Sequence, residues 1–174
     1  MENVSFGSSS FLFLIPFLYS VFNTPKTPSF TFTAWKIGLF LLTITSFLCN
    51  YFANCGEFIL CDYSSTITLT IIYFLCFSRY NIAVLLCILF LIEMTVVQKL
   101  STTVMIAFLA LNLFAFTNFT KTELIIGITA FSIAIYYKQC RNYTCAITYP
   151  MYTTIWHMCC AVLLVLASRS IIRI

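Results

Sequence analysis

The sequence predicts an all-α integral membrane protein, a single bundle of seven transmembrane helices. Of its 174 residues, 61% are hydrophobic and only 8% are charged, so polar side chains are too few to cover the surface of a soluble domain. The apolar runs are continuous and lack two-residue alternation, which favours helices over a membrane β-barrel. The positive charges are scattered through the connections, so we expect no nucleic-acid partner.

Each apolar segment approaches the roughly 20 residues that a helix needs to cross a bilayer. Short polar or proline-containing connections separate the segments. The predicted spans cover residues 6–22, 35–53, 58–77, 81–98, 102–116, 123–137 and 149–168 of one domain, residues 1–174.

The first three spans are separated by one long and one very short connection. The first is apolar with Pro16 inside it, and residues 24–33 after it contain Pro25 and Pro28, which disfavour helix. Only residues 54–57 separate the second and third spans. Such a tight connection predicts antiparallel neighbours.

The last four spans follow similar polar breaks. Residues 78–80 precede the fourth span, residues 99–101 the fifth and residues 118–122 the sixth. Residues 138–148 lead to the seventh, which carries His157, the only histidine of the chain. A titratable group inside a membrane helix is costly unless it has a partner or a task.

The basic residues predict the orientation of the bundle. In a seven-span topology, three of them fall on the N-terminal side and six on the other. The first group is Lys99, Lys138 and Arg141, and the second is Lys26, Lys36, Arg79, Lys121, Arg169 and Arg173. The positive-inside bias places the N-terminus outside or lumenal and the C-terminus in the cytosol. Asn3 and Asn142 then lie in glycosylation sequons on the outside, whereas the sequon at Asn118 faces the cytosol.

Polar residues of several spans fall at one depth, which we call the polar layer. In an up-down bundle, Ser46 and Asn50 at the end of span two share a leaflet with Asp62, Glu93 and His157. At about 1.5 Å per residue, Asp62, Glu93 and His157 lie roughly 6, 9 and 12 Å below the same surface. Charged membrane residues are usually functional, which favours one shared pocket.

Helical spacing supports a shared pocket, although a simpler reading exists. Ser46 and Asn50 are four residues apart, as are Thr153 and His157, so each pair lies on one helix face. The alternative is a set of isolated interhelical hydrogen bonds, worth on the order of 1 kcal/mol each. Glu93 could also reach toward the headgroups.

Three segments that carry these residues resemble a known family. They are SFLCN at Ser46–Asn50, CDYSSTITLTI at Cys61–Ile71 and YTTIWHMCCAVLLVLAS at Tyr152–Ser168. They are similar to the signature regions of the CREST superfamily, which includes alkaline ceramidases, progestin and adiponectin receptors and the myomaker-like proteins. The likeness is greatest to the myomaker-like branch. The resemblance implies a seven-helix fold with an external N-terminus.

The family pattern is only partly kept. In the family, three histidines hold zinc, while a serine and an aspartate complete a hydrolase-like site. The residues that agree with the pattern are Ser46, Asp62, Trp156 and His157. Asn50 and Thr153 stand where the family has two of its histidines. The resemblance therefore implies a pocket that also contains Asn50, Thr153 and Trp156.

The missing histidines bear on the expected cofactor. Asparagine and threonine are poor zinc ligands, so we expect no cofactor at the ordinary site. A substitute set of His157 with Asp62 and Cys49 has suitable donor atoms, and zinc at that set stays open as an alternative. Without a metal, no group would generate hydroxide near neutral pH.

The preferred hypothesis is a multi-pass protein on a CREST-like scaffold with a degraded metal site, a pseudoenzyme. It would bind membrane lipid or a membrane-protein partner, and the resemblance permits a role in membrane remodelling or fusion. We expect it in the plasma membrane or an endomembrane. The short loops and the excess of Phe, Ile and Tyr are typical of compact viral genes, in which case the membrane is that of the host.

Three alternatives remain open from the sequence. One is an active lipid hydrolase with Ser46, Asp62 and His157 as its catalytic residues. Another is a channel or transporter lined by Glu93, Asp62 and His157, although no polar groups are expected in the other half of the spans to continue the route. The last is a structural membrane protein that needs only its spans.

Overall fold

Seven α-helices follow the apolar segments of the sequence in order, and the part of the chain that the structure describes contains no strand. The computed structural model describes residues 9–25, 27–52, 56–97, 101–141 and 149–174. The helices are α1 (Leu14–Phe22), α2 (Phe30–Tyr51), α3 (Gly56–Cys76), α4 (Tyr80–Ile92), α5 (Ser101–Thr117), α6 (Lys121–Arg141) and α7 (Tyr149–Ile172). A 3₁₀ segment, Ser9–Phe13, precedes α1, and a π-helical segment, Glu93–Val97, follows α4. The all-α prediction is confirmed.

Within the described part of the chain, three helices are long and apolar enough to cross a membrane, in the ranges Phe30–Tyr51, Ile59–Cys76 and Met151–Ile172. Shorter apolar helices cover Ser9–Phe22, Tyr80–Thr95 and Thr102–Thr117. The bundle of helices is therefore observed, whereas a crossing by all seven stays a prediction. Large apolar side chains such as Ile37, Leu85 and Ile125 are exposed on outer faces, which suits a surface in contact with lipid.

The second helix begins five residues earlier than the sequence predicted, at Phe30 instead of residue 35. Ser29 supplies the reason, because its side-chain oxygen accepts a hydrogen bond from the backbone N–H of Phe32 at 3.1 Å. Such a cap satisfies a donor that the first helical turn leaves without a partner.

The turn between α3 and α4 places Ser78 at φ 55°, a left-handed conformation that reverses the chain within three residues.

Neighbouring helices pack mainly in the pairs α2 with α3 and α6 with α7. The third helix also contacts α4 and α5, while α1 and the 3₁₀ segment pack against both α2 and α7. Early residues of α2 meet late residues of α3, as the rings of Trp35 and Tyr73 show at a centroid distance of 5.6 Å. The two helices are therefore antiparallel, as the short connection predicted.

An ion cluster joins the start of α6 to the end of α7. The Glu123 side chain is only 5% exposed and lies 3.1 Å from Arg169 Nη1. Its carboxylate also accepts hydrogen bonds from both terminal nitrogens of Arg173 and from the backbone N–H and hydroxyl of Thr120. The hydrogen bonds to Glu123 raise the pKa of Arg173, which lies just beyond α7. This cluster fixes the C-terminal end of the bundle.

Candidate functional site

A cavity of about 220 Å³ lies between α2, α3, α5 and α7. The polar side chains that line it come from the late half of α2, from the first 15 residues of α3, and from α5 and α7. They include Ser46, Asn50, Asp62, Tyr63, Thr66, Thr70, Asn112, Trp156 and His157. The cavity thus includes Ser46, Asn50, Asp62 and His157 of the predicted polar layer and extends further along α3 and α5 to Thr70 and Asn112.

Four residues of the polar layer line this one cavity although they come from three helices: Ser46, Asn50, Asp62 and His157. Trp156 and Cys49 lie in the same lining. The apolar part of the lining is contributed by side chains such as Leu42, Leu111 and Leu164. The structure therefore brings these candidates together, while their catalytic roles stay predictions.

The 3₁₀ segment adds two hydroxyls to the polar layer that the sequence analysis missed. Ser9 Oγ lies 2.8 Å from His157 Nδ1, and the imidazole also packs against the Phe13 ring at a centroid distance of 5.2 Å. Ser10 Oγ accepts hydrogen bonds from Ser46 Oγ at 3.3 Å and from Asn50 Nδ2 at 3.2 Å. A run of serines directly before an apolar segment was the available signal.

Ser46 and Asn50 hold each other on the same face of α2. The Asn50 amide donates to the Ser46 carbonyl oxygen at 2.7 Å and lies 3.4 Å from Ser46 Oγ. The Ser46 hydroxyl itself donates to Ser10, and the hydroxyl placed beside the His157 imidazole belongs to Ser9. Ser46 is therefore a hydrogen-bonding member of the cluster, and its catalytic role stays a prediction.

No protein family model, curated protein or solved structure matches this chain. The CREST resemblance therefore rests on the three quoted segments and on the residues that agree with the pattern.

Two predicted pocket residues lie outside the cavity lining. Glu93 is in the π-helical segment, and its Oε2 accepts a hydrogen bond from the backbone N–H of Thr103 at 3.0 Å. It thereby satisfies a donor in the first turn of α5, which is why its carboxylate does not face the cavity. Thr153 is fully buried in α7, one turn before His157, but is not among the lining residues.

Zinc at the substitute set of His157, Asp62 and Cys49 stays a prediction. Among the described residues, no group of three or more His, Cys, Asp or Glu side chains is arranged to hold a metal ion. His157, Asp62 and Cys49 share the cavity lining, and zinc would need a donor atom of each at about 2.0–2.3 Å. The predicted glycosylation sites Asn3 and Asn142 lie outside the described residues.

The opposite half of the bundle contains polar pairs, contrary to the sequence-based expectation. Trp35 Nε1 donates to Ser168 Oγ at 3.0 Å, and the Tyr73 hydroxyl lies 2.9 Å from Ser170 Oγ. Trp35 and Tyr73 are fully buried. The two rings also pack against each other, with their centroids 5.6 Å apart. The channel alternative stays a prediction.

Proposed function

We propose that this chain is an integral membrane protein that binds the polar end of a membrane amphiphile in the cavity between α2, α3, α5 and α7. The observation that carries the proposal is the mixed lining of that cavity. Hydrogen-bonding groups such as those of Asn50, Asp62 and His157 share it with Leu111 and Leu164. A ligand with a polar end and an apolar chain matches both kinds of surface.

The size of the cavity limits what enters it. Its volume of about 220 Å³ is below the roughly 300–1,000 Å³ of typical small-molecule pockets. The cavity therefore accommodates a head group and the first part of a chain, and the remaining chain lies among the outer helices and lipid. A single-chain amphiphile is the simplest ligand of this kind.

The seven-span topology and the CREST-like scaffold with a degraded zinc site are part of the same proposal. The charge distribution of the sequence supports a cytosolic C-terminus, and the shared cavity lining of Ser46, Asp62, Trp156 and His157 supports the kinship. In cells, we expect an antibody to reach an N-terminal epitope tag without permeabilisation and a C-terminal tag only after it. The opposite pattern would contradict the topology but not the cavity.

Hydrolysis of a lipid is the weaker alternative, because Ser46 donates its hydrogen bond to Ser10. Ser9 is the hydroxyl within reach of the imidazole base, at the distance that an acyl-transfer pair needs. Lipid-ester turnover that is lost in both Ser9→Ala and His157→Ala would favour hydrolysis over simple binding.

Quenching of tryptophan fluorescence tests binding and location together. Trp156 lines the cavity, and Trp35, the only other tryptophan, lies in the opposite half. A single-chain amphiphile with bromine near its head group is expected to quench the Trp35→Phe variant saturably. Ser168 keeps a partner in this variant, because its hydroxyl donates to the Leu164 carbonyl oxygen at 2.8 Å.

The matched variant is Trp156→Phe, which retains only Trp35. Its emission is expected to be insensitive to the same amphiphile at concentrations that saturate the Trp35→Phe protein. Equal quenching of the two variants would mean that the amphiphile only coats the outer surface, and the cavity would then not be the binding site.

A further inference from the structure

We infer that the C-terminal end of the bundle binds the phosphate head group of an anionic phospholipid. This inference rests on the membrane location in the proposed function but not on the cavity. Basic side chains of α2, α6 and α7 lie toward this end, and Glu123 is the acidic side chain that the described residues place among them. The basic residues are Lys36, Lys121, Arg169 and Arg173. Because arginine keeps its proton throughout the accessible pH range, positive charge is in excess here.

Contacts between α2 and α7 place two of the basic residues at one level. Trp35 Nε1 donates to Ser168 Oγ at 3.0 Å, and Lys36 and Arg169 are the next residues along these two helices. The Lys36 ammonium lies 5.3 Å from the centroid of the Phe32 ring, one turn nearer the start of α2. The lysine side chain therefore extends toward the end of the bundle, as lysines do near a membrane surface.

Glu123 holds two guanidinium groups in place without neutralising both of them. Its carboxylate accepts hydrogen bonds from both terminal nitrogens of Arg173 and lies 3.1 Å from Arg169 Nη1. Lys121, the first residue of α6, is exposed and adds a further positive charge. Both arginine side chains are partly exposed, so N–H groups that do not bond to Glu123 can reach a ligand. Guanidinium groups held in a fixed orientation are well suited to bind phosphate.

An apolar stripe on the outer face of α7 leads to these arginines. Met158 and Val162 are exposed, and the spacing from Met158 to Val162 to Arg169 keeps the three residues on one helix face. On the neighbouring helix α6, the exposed Ile125 follows Lys121 by one turn. A lipid chain can lie along these apolar side chains while its head group contacts the basic ones.

This combination selects an anionic lipid over a soluble anion and over a zwitterionic lipid. Inorganic phosphate would contact only the basic groups, whereas a phospholipid also covers the apolar stripe. Phosphatidylcholine would bring its own trimethylammonium group beside the arginines, where like charges repel. The charge distribution predicts that this end faces the cytosol, and cytosolic leaflets contain anionic lipids that attract basic residues at the membrane surface.

Lipid binding measured by native mass spectrometry from neutral detergent micelles tests this inference. The protein is titrated with phosphatidylglycerol or phosphatidylcholine that carry the same acyl chains. Phosphatidylglycerol is expected to bind at least about fivefold more tightly, the contribution of a single basic residue at a membrane surface. A tenfold excess of inorganic phosphate over lipid should leave this binding unchanged.

Arg169→Gln is the decisive variant, because Arg173 still pairs with Glu123 when Arg169 is replaced. Its affinity for phosphatidylglycerol is expected to fall about threefold to fivefold, with the affinity for phosphatidylcholine unchanged. Lys121→Gln is a second variant, for which we expect a loss of about twofold. Lys138→Gln is the matched control, because it removes one positive charge near the other end of α6 and should leave both affinities unchanged.

The possible results separate the inference from the proposed function. Equal affinities for the two lipids, displacement by inorganic phosphate, or normal binding in both Arg169→Gln and Lys121→Gln would overturn the inference. An equal loss in Lys138→Gln would assign the preference to general charge and would also overturn it. Quenching of the Trp35→Phe protein by the brominated amphiphile reports the cavity independently. Loss of that quenching with a retained preference for phosphatidylglycerol would overturn amphiphile binding in the cavity and support the inference.

Discussion

Replacing Thr66 by phenylalanine is expected to weaken amphiphile binding by more than about tenfold, because the added ring occupies the cavity. Thr66 lines the cavity, and its hydroxyl donates only to the Asp62 carbonyl oxygen of its own helix, at 3.0 Å. A ring placed in a space of about 220 Å³ meets little steric resistance. The free energy of unfolding should therefore change by no more than about 0.5 kcal/mol. Binding is measured by quenching of Trp156.

The chain offers a matched control at Thr129 on α6. Its hydroxyl makes the same kind of bond, to the Ile125 carbonyl oxygen at 2.8 Å, but its side chain is exposed. Thr129→Phe adds the same apolar ring on the outer surface and should bind the amphiphile like the unchanged protein. If Thr66→Phe also binds normally, the ligand does not enter the cavity and the proposed function is wrong.

The sequence could predict that these polar side chains share one cavity, because two simple rules determine their positions. Helices joined by short connections run antiparallel, and a constant rise per residue converts sequence position into depth. Ser46, Asp62 and His157 obey both rules, and all three line the cavity. The same rules contain no information about the 3₁₀ segment, so Ser9 and Ser10 were missed.

Glu93 was misplaced because the depth rule assumes an unbroken α-helix. The backbone changes to a π-helical segment at Glu93, which alters the angular spacing of the side chains. The unsatisfied N–H groups at the start of α5 then offer a closer partner than the cavity, and Glu93 bonds to Thr103. A sequence pattern of apolar residues does not reveal this change of helix type.

The polar pairs in the opposite half of the bundle were missed for a different reason. Trp35 and Tyr73 count as apolar in a hydropathy scan, yet each has one polar atom that seeks a partner when it is buried. Ser168 and Ser170 supply those partners near the end of α7. Which serine hydroxyl bonds to which aromatic side chain can be predicted only when the packing of the helices is known.

The sequence analysis did not predict a structural role for Glu123, because the topology was predicted from the basic residues alone. We expect Glu123→Gln to lower the free energy of unfolding by about 2 kcal/mol. The carboxylate is nearly buried and faces two arginines, whose side chains are 44% and 39% exposed. That exposure lets water compensate part of the loss, so the cost is less than for a fully buried pair. Unfolding in mixed micelles provides the measurement.

Two further variants identify the ion cluster as the cause of that loss. Glu57→Gln changes an exposed carboxylate and should cost no more than about 0.5 kcal/mol. Arg173→Gln removes the partner that makes two hydrogen bonds to Glu123 but leaves Arg169 within 3.1 Å. It should therefore destabilise the protein less than Glu123→Gln does. A loss in Glu123→Gln no larger than in Glu57→Gln would show that the cluster does not hold α6 to α7, since a buried carboxylate that joins two helices cannot be neutralised without cost.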